Sequence, residues 1–281
     1  MIVVTGATGN IGATLVHLLA EAGEQVTAVS RGTKEMRLPD GVRHVTADLA
    51  DPESLSPAVA GADALFLLIT GDQLVDGPAP ERFLDIARAG GVRRVVFVSS
   101  QGVVTRAGAA GYARLAAFEN AIRESGLEWT LLRPGGFFSN TGAWAESVRN
   151  ERVIAAPFGD VGLPSVDPAD IAAVAAAALR EDGHVGQIYT LTGPDLSTPR
   201  TQAAALGAAL GTELRFVELT RSQAFEGMLR FMPEPVADHT LNILGTPTPD
   251  EQLISPDVER VLGRSPRTYA EWAERNRAVF A

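Results

Sequence analysis

Three glycines spaced three residues apart stand near the start of the chain, in the stretch TGATGNIG. The apolar run Ile2–Val4 before them is typical of a strand, and apolar residues after them recur at helical spacing. Gly6 permits a tight turn, Gly9 lets a diphosphate approach the backbone, and Gly12 lets the helix pack closely on its strand. The helix N-terminus adds unpaired N–H groups and partial positive charge. The pattern predicts a dinucleotide-binding turn formed by Gly6, Ala7, Thr8, Gly9, Asn10 and Ile11.

A positive charge follows the second predicted strand. Residues 25–30 alternate in polarity as a strand does, and Arg31 comes next, with Lys34 and Arg37 in the loop beyond. In dinucleotide-binding folds an acidic residue at this point binds the ribose 2′-hydroxyl, whereas arginine accommodates a 2′-phosphate. No acidic residue stands there, so Arg31 predicts that the chain binds NADP(H). If the chain is a reductase, the cofactor that it consumes is NADPH. Lys34 and Arg37 are more typical of a solvated loop.

Further cofactor contacts are expected where other predicted strands end. Residues 43–46 predict a third strand, and Asp48 beyond it is placed either to hydrogen-bond the adenine ring or to cap a helix. Residues 62–70 are almost continuously apolar, as in a central parallel strand buried on both faces. Ligands of such sheets bind at the carboxyl ends of the strands. We therefore expect six residues at strand ends to contact the cofactor: Asp48, Leu49, Ile69, Thr70, Ser99 and Pro134.

These residues require a scaffold in which strands and helices alternate. Six strand patterns separated by helical patterns precede Pro134, which predicts an α/β fold with a doubly wound parallel sheet of the Rossmann type. The later pattern is less regular and richer in proline and glycine. We expect residues 1–150 to form the NADP-binding domain, with the sheet re-entered near 166–192. Residues 151–281 are expected to form a smaller substrate-binding cap.

Composition excludes several kinds of function. A formal net charge of −10 argues against a broad surface for nucleic acid or an anionic membrane, and the absence of cysteine excludes disulfides and thiolate chemistry. The four histidines are dispersed without the spacing of metal ligands, so no metal is expected. The opening residues do not resemble a signal peptide, and no apolar run approaches a membrane span. A cytoplasmic monomer or homodimer acting on a small molecule is expected.

Several stretches together resemble one known family. They are TGATGNIG with Arg31, VVFVSSQGV at 95–103, SGLEWTLLRPGGFFSN at 125–140, VDPADIAAVAAAAL at 166–179 and SPDVERVLGRSPRTYAEWAERN at 255–276. The sequence resembles the NmrA-like branch of the atypical short-chain dehydrogenase/reductases over essentially its whole length. The resemblance implies a Rossmann fold with NAD(P)(H) in the glycine turn. It does not by itself imply catalysis, because the branch includes quinone and ketone reductases as well as redox-sensing regulators without turnover.

The usual catalytic residues of the family are incomplete in this sequence. Typical members use a serine after the fifth strand and a tyrosine with a lysine four residues on, which lowers the tyrosine's pKa so that it acts as an acid. Here Tyr112 is followed at that spacing by Ala116, and Arg114 aligns with the lysine of the related quinone reductases. Gln101 stands where extended members often carry the active serine. The resemblance leaves three candidate catalytic residues without a tyrosine–lysine pair: Ser100, Gln101 and Tyr112.

Three functions fit these observations. The first is an NADPH-dependent oxidoreductase that transfers a hydride to a quinone or ketone of a small aromatic or polyketide-like substrate. Phe137, Phe138 and Trp144 then either line a pocket for an aromatic substrate or form core. The alternative is a regulator of the NmrA type that senses NADP(H) without turnover. An epimerase or dehydratase of a nucleotide sugar needs the tyrosine–lysine pair and is the least favoured.

Three further charged residues have structural interpretations. Arg133 at a strand end either touches the nicotinamide region or a carboxylate, or forms a structural pair. Asp167 and Asp170 lie within one helical turn, and a helix cap and a solvated helix position account for them.

Overall fold

The computed structural model describes residues 1–33 and 37–281. Nine strands are present in these residues: β1 (Ile2–Val4), β2 (Val26–Ser30), β3 (Arg43–Thr46), β4 (Ala64–Leu67), β5 (Arg94–Val98), β6 (Glu128–Pro134), β7 (Val153–Pro157), β8 (Gln187–Leu191) and β9 (Arg215–Leu219). Twelve α-helices accompany them in the same residues: α1 (Asn10–Glu21), α2 (Ser56–Val59), α3 (Pro80–Gly90), α4 (Gly102–Thr105), α5 (Ala113–Glu124), α6 (Ala145–Glu151), α7 (Pro168–Arg180), α8 (Pro199–Leu210), α9 (Arg221–Met228), α10 (Glu234–Gly245), α11 (Asp257–Leu262) and α12 (Tyr269–Asn276). No helix among the described residues has the length and apolar character needed to cross a bilayer.

Seven strands form one parallel sheet in the order β3-β2-β1-β4-β5-β6-β8. The chain winds outward from β1 to β3 and then returns to β4 on the other side of β1, so the direction of winding reverses between β1 and β4. That reversal is the topological switch point at which such sheets bind ligands. The predicted doubly wound Rossmann sheet is confirmed. The chain returns to this sheet through β8, which pairs with β6.

Strand burial explains why these segments form the centre of the sheet. Every residue of β1, β2 and β4 is buried, and their side chains are mostly β-branched or otherwise apolar. Phe97 of β5 stacks on Phe118 of α5 with ring centroids 5.3 Å apart, and Phe118 contacts Phe83 of α3 at 5.6 Å. These rings fix α3 and α5 against the sheet.

The chain divides into two compact units. Unit 1 comprises Met1–Pro134, Pro168–Leu191 and Asp257–Arg264, and unit 2 comprises Gly135–Asp167, Thr192–Pro256 and Ser265–Ala281. The chain thus leaves unit 1 at Pro134 rather than near residue 150, and α11 belongs to unit 1 although the sequence placed it in the cap.

Contacts with β8 explain why α11 belongs to unit 1. The Asp257 carboxylate accepts a hydrogen bond of 2.8 Å from the Thr190 backbone N–H. The Arg260 guanidinium lies over the Tyr189 ring, 5.5 Å from its centroid. Both contacts cross about 70 residues of sequence, which is why a pattern read along the chain did not reveal them.

Unit 2 has its own aromatic core. Phe138 packs edge-on against Tyr269 with centroids 5.2 Å apart, and Trp272 contacts Tyr269 at 5.4 Å and Phe280 at 6.1 Å. The Tyr269 hydroxyl donates to Thr141 Oγ1 at 2.9 Å, and burial raises the pKa of this phenol far above its ordinary value. β7 and β9 form a separate parallel pair in this unit.

The two aspartates of the VDPAD stretch are buried ion-pair partners. Within unit 1, Asp170 is fully buried and accepts from Arg264 at 2.6 Å. Within unit 2, Asp167 is 2% exposed and pairs with Arg275. The interpretation of Asp170 as a solvated helix position is therefore wrong, because the side chain faces Arg264 across the fold rather than solvent.

Candidate active site

The glycine turn is held rigidly at the switch point of the sheet. Thr5 donates through Oγ1 to the Phe66 carbonyl at 3.1 Å and accepts at 2.9 Å from the Leu68 N–H, which ties the turn to β4. The Ala7 N–H donates to the Val29 carbonyl of β2 at 3.1 Å. Gly6 has a φ of +64°, a left-handed conformation that favours glycine. The turn is thus fixed between the two strands that flank β1.

The other two glycines leave the start of α1 open. A β-carbon on Gly12 would lie 2.2 Å from the Gly6 carbonyl oxygen, so only glycine allows the helix to begin against the turn. Gly9 is the exposed N-cap residue of α1, in extended conformation and without a side-chain cap. The N–H groups of the first helical turn have no partners inside the helix. An open backbone surface with unpaired N–H groups at a positive helix end fits a diphosphate.

Arg31 follows β2 on the surface of unit 1. Its guanidinium is exposed and has no ion-pair or hydrogen-bond partner among the described residues. Ser30 beside it is buried, with Oγ 2.9 Å from His44 Nε2 and 3.2 Å from the Gly32 N–H. Arg37 is also exposed, and Lys34 lies outside the described residues. The donor set at Arg31 fits a ribose 2′-phosphate.

The remaining predicted cofactor residues at the ends of β3 and β4 differ in what they can offer. Asp48 is exposed, and its Oδ1 accepts a 3.0 Å hydrogen bond from the Ala50 N–H, which leaves carboxylate capacity for a ligand. Leu49 is half-buried against the sheet core, and Thr70 is exposed. The Ile69 side chain is only 2% exposed, so this residue can offer a ligand little beyond its backbone. Asp48 is not the cap of the helical turn near Pro52, because Asp51 occupies that position.

Ser99 and Arg133 are committed to a buried carboxylate. The Ser99 hydroxyl donates to Glu119 Oε1 at 2.6 Å, and Arg133 forms a two-bond ion pair with the same group. Arg133 therefore makes the structural pair. The Ser99 hydroxyl, which was expected to contact the cofactor, instead donates its hydrogen bond to Glu119. Sequence reasoning missed Glu119, although an acidic residue beside Phe118 on the buried face of a helix was a signal that a buried partner existed.

The three candidate catalytic residues are brought together after β5. The Ser100 Oγ accepts from the Gly102 N–H at 3.1 Å, and the Gln101 N–H donates to the Pro134 carbonyl at 3.1 Å. The Tyr112 ring covers Gly102, where a β-carbon would lie 2.0 Å from its Cζ. The three residues thus lie close together along the backbone of unit 1, at the carboxyl end of a central strand.

Arg114, which aligns with the family's lysine, is engaged by backbone carbonyls of the loop after β4. Its Nε donates to the Gln73 carbonyl at 2.5 Å and its Nη2 to the Pro78 carbonyl at 2.7 Å. The guanidinium also lies 5.3 Å from the centroid of the Phe118 ring. Arg114 therefore fastens the loop after β4, a role that neither the residue type nor the alignment indicated.

The predicted aromatic pocket residues belong to unit 2, and one of them is core. Phe138 is 1% exposed within the aromatic cluster, so its side chain has no surface to offer a substrate. This part of the pocket prediction is wrong because ring packing with Tyr269 and Trp272 takes up the whole side chain. Trp144 is half-buried against the same cluster, and Phe137 is half-buried with its backbone bridged to Val166. Within the described residues, no group of histidine and carboxylate side chains could hold a metal ion.

Comparison with known proteins places this geometry in a family. The NAD(P)H-binding family matches residues 6–182. A (4-alkanoyl-5-oxo-2,5-dihydrofuran-3-yl)methyl phosphate reductase of Streptomyces griseus is 37% identical, with 100% of this chain and 99% of the relative covered. An NAD(P)H azoreductase of Xenophilus azovorans is 34% identical with the same coverage. An Escherichia coli NADPH-dependent quinone oxidoreductase, solved with NADPH, superposes with a TM-score of 0.79 at 25% identity over 98% of this chain and 99% of its own.

Proposed function

The chain belongs to the NAD(P)H-binding family and is an oxidoreductase, and we propose that it uses NADPH to reduce a quinone or an electron-poor ketone. The observation that carries this proposal is the glycine turn, with an open helix end and an unpaired Arg31 at the adjacent strand end. The relatives support the reductase part, since all three are named as reductases or oxidoreductases.

The residues that would hold the cofactor follow from the donors described above. The N–H groups of Thr8, Asn10 and Ile11, which no backbone carbonyl of the turn occupies, would bind the diphosphate. Arg31 would bind the 2′-phosphate through charge-assisted hydrogen bonds. Asp48 with Leu49 would contact the adenosine. The nicotinamide side would be lined by Thr70 and Pro134, and by backbone at Ile69 and Ser99. When bound, NADPH supplies a hydride from its nicotinamide ring.

The chain's own contribution to the reaction is positioning and hydrogen bonding. Reduction of a carbonyl group develops negative charge on oxygen, which fixed donors stabilise. The candidate donors are the Ser100 hydroxyl, the Gln101 amide and the Tyr112 phenol. No lysine stands four residues after Tyr112 to lower its pKa.

Acceptor chemistry explains how such a site works without a tuned acid. A reduced quinone carries its negative charge as a delocalised phenolate, which water protonates later. One relative is named as an azoreductase, and the other as a reductase of an alkanoyl-substituted oxo-dihydrofuran. Both compounds contain unsaturated groups that heteroatoms or conjugated carbonyl groups make electron-poor. A quinone or activated ketone of a small aromatic or polyketide-like molecule is therefore the proposed substrate class.

Consumption of NADPH, followed at 340 nm with a panel of quinones, azo dyes, activated ketones and simple ketones, tests the proposal. We expect turnover with quinones and activated carbonyl compounds, and little with unactivated ketones. NADPH binding without turnover on any acceptor would contradict the proposal and favour the NADP(H)-sensing regulator. NADH run in parallel tests the cofactor assignment.

A further inference from the structure

The carboxylate of Glu119 in α5 is buried and fully hydrogen-bonded. Its side chain is 2% exposed. Oε1 accepts from the Ser99 hydroxyl at 2.6 Å and from Arg133 Nε at 2.9 Å, whereas Oε2 accepts from Arg133 Nη2 at 2.5 Å and from Arg123 Nη2 at 3.1 Å. A buried charge is tolerated when its lone pairs are satisfied in this way.

Two of these partners stand at neighbouring strand ends. Ser99 is the first residue after β5, and Arg133 precedes Pro134 at the end of β6. The backbone joins the same two ends, because the Ser99 N–H donates to the Leu132 carbonyl at 2.7 Å and the Gln101 N–H donates to the Pro134 carbonyl at 3.1 Å. Glu119 therefore fastens the turn after β5 to the end of β6 through side chains as well.

The candidate phenol, Tyr112, is the N-cap residue of the helix that carries Glu119. Tyr112 stands directly before α5, seven positions and about two helical turns from Glu119. The Tyr112 ring contacts the turn after β5 at Gly102, and the Glu119 carboxylate contacts the same turn at Ser99. Two contacts, one from α5 and one from its N-cap residue, hold the turn between them.

A plain stabilising ion pair would need only Arg133 and Glu119. The Ser99 hydroxyl adds a short charge-assisted bond from the carboxylate to the very turn that carries Ser100 and Gln101. Misplacement of a reacting group by about 1 Å can slow an enzyme by about a hundredfold.

We propose that Glu119 is a positioning residue for hydride transfer: through Ser99 and Arg133 it holds the turn after β5 against Pro134 and against the start of α5. This inference rests on the proposed function, because the turn positions the acceptor and the nicotinamide side of the site only if the site is that of a reductase. Glu119 itself is buried and acts through these two partners, without contact to substrate or cofactor.

The test compares Ser99→Ala, Glu119→Gln and the double variant with a matched control. The control is Thr130→Val, which removes another buried hydroxyl of the same sheet, one that donates to the His184 carbonyl at 2.7 Å. For each variant, kcat with a quinone, the Kd for NADPH, the emission of bound NADPH and the thermal midpoint are measured. Ser99→Thr, which keeps the hydroxyl, is included as a rescue.

We expect Ser99→Ala to lower kcat about tenfold with the NADPH Kd changed less than about twofold. Glu119→Gln should lower kcat at least as much, and the double variant no further, because both changes release the same constraint. Ser99→Thr should recover most of the loss. Thr130→Val should lower the thermal midpoint and leave kcat unchanged.

Two results would overturn the inference. One is that Ser99→Ala and Glu119→Gln behave like Thr130→Val, which would leave Glu119 a purely stabilising residue. The other is that their effects on kcat add. If Glu119→Gln does not fold, Ser99→Ala and Ser99→Thr decide the question.

Failure of the proposed function can be recognised separately. A wild-type protein that binds NADPH without turnover would refute the reductase, and the emission of the bound nicotinamide would then decide on Glu119. A change of emission in Ser99→Ala and Glu119→Gln but not in Thr130→Val supports the positioning role. Equal emission in all four proteins, or no NADPH binding by the wild type, contradicts it.

Discussion

The ring of Tyr112 lies directly on Gly102, with the site of a β-carbon on Gly102 only 2.0 Å from Tyr112 Cζ. The glycine of the turn after β5 is therefore required by the phenol beside it rather than by its own backbone angles, since Gly102 does not have a positive φ. The relation links a residue of α4 to the residue that precedes α5.

Gly102→Ala should displace the Tyr112 ring and destabilise the protein by about 1–3 kcal/mol, the usual cost of overpacking. Urea unfolding measures the loss. In a Tyr112→Ala background the same substitution should cost much less, because the ring is gone. Equal costs in both backgrounds would show that the ring and the glycine do not compete for space.

Tyr112→Phe should lower kcat only a few-fold. A general acid is typically worth about 10²–10⁴-fold, but Tyr112 has Ala116 where the family has a tuning lysine. Steady-state rates with a quinone measure the effect, with NADPH affinity determined separately. A hundredfold loss of kcat at unchanged affinity would identify Tyr112 as the acid and contradict this expectation.

Arg31→Asp should weaken NADPH at least about tenfold more than NADH, since it replaces a charge-assisted contact by a repulsion. Fluorescence titration with both cofactors measures the ratio. Arg37→Asp is the matched control, because Arg37 is also an exposed arginine in the loop after β2. Equal weakening of NADPH and NADH by Arg31→Asp would refute the 2′-phosphate assignment.

Gly9→Val should abolish NADPH binding while the protein stays folded. Gly9 is exposed with φ −91° and ψ 172°, angles that valine adopts. A β-carbon there would lie 3.3 Å from the Gly6 carbonyl oxygen, and the rest of the side chain would extend into the space in front of α1. Isothermal titration measures binding, and circular dichroism checks the fold. Gly227→Val, at a helical glycine with open space around it, should leave binding intact. Normal binding by Gly9→Val would mean that the turn is not a phosphate site.

Asp170→Asn should destabilise the protein by about 3 kcal/mol, because it breaks the ion pair between this fully buried carboxylate and Arg264. Denaturant unfolding measures the change. Asp160→Asn breaks the exposed pair with Arg200 and should have little effect on the unfolding midpoint. Similar midpoints for the two variants would contradict a structural role for the VDPAD stretch.

Local pattern predicted the sheet well and side-chain partners poorly. The glycine turn, the buried central strands and the return of the chain at β8 follow from short-range periodicity, which is visible in one sequence. The local pattern favours a solvated position for Asp170 and leaves Phe138 between substrate pocket and core, because their partners, Arg264 and Tyr269, are 94 and 131 positions away in the chain. Tertiary packing determines such pairs, and periodicity within a short stretch of one sequence does not predict them.

The candidate site shows the same division. The backbone features at Gly6–Gly12 and the charge of Arg31 could be read from residue types, because the physical requirement sits at the residue itself. Two sets of hydrogen bonds could not be predicted in this way. Ser99 donates to Glu119, and Arg114 donates to the carbonyls of Gln73 and Pro78. Those contacts depend on where α5 packs, and the helical pattern alone does not specify its neighbours.

The interleaving of the two units constrains the order in which the protein can fold during synthesis. Unit 1 needs β8 and α11, and its Asp170–Arg264 pair joins residues 94 positions apart. On the ribosome, the Rossmann sheet therefore cannot be completed when residue 134 emerges, and its β6 edge stays unpaired until β8 follows. We expect nascent chains arrested before residue 187 to present that edge to chaperones, and chains arrested after residue 264 to resist proteolysis in unit 1.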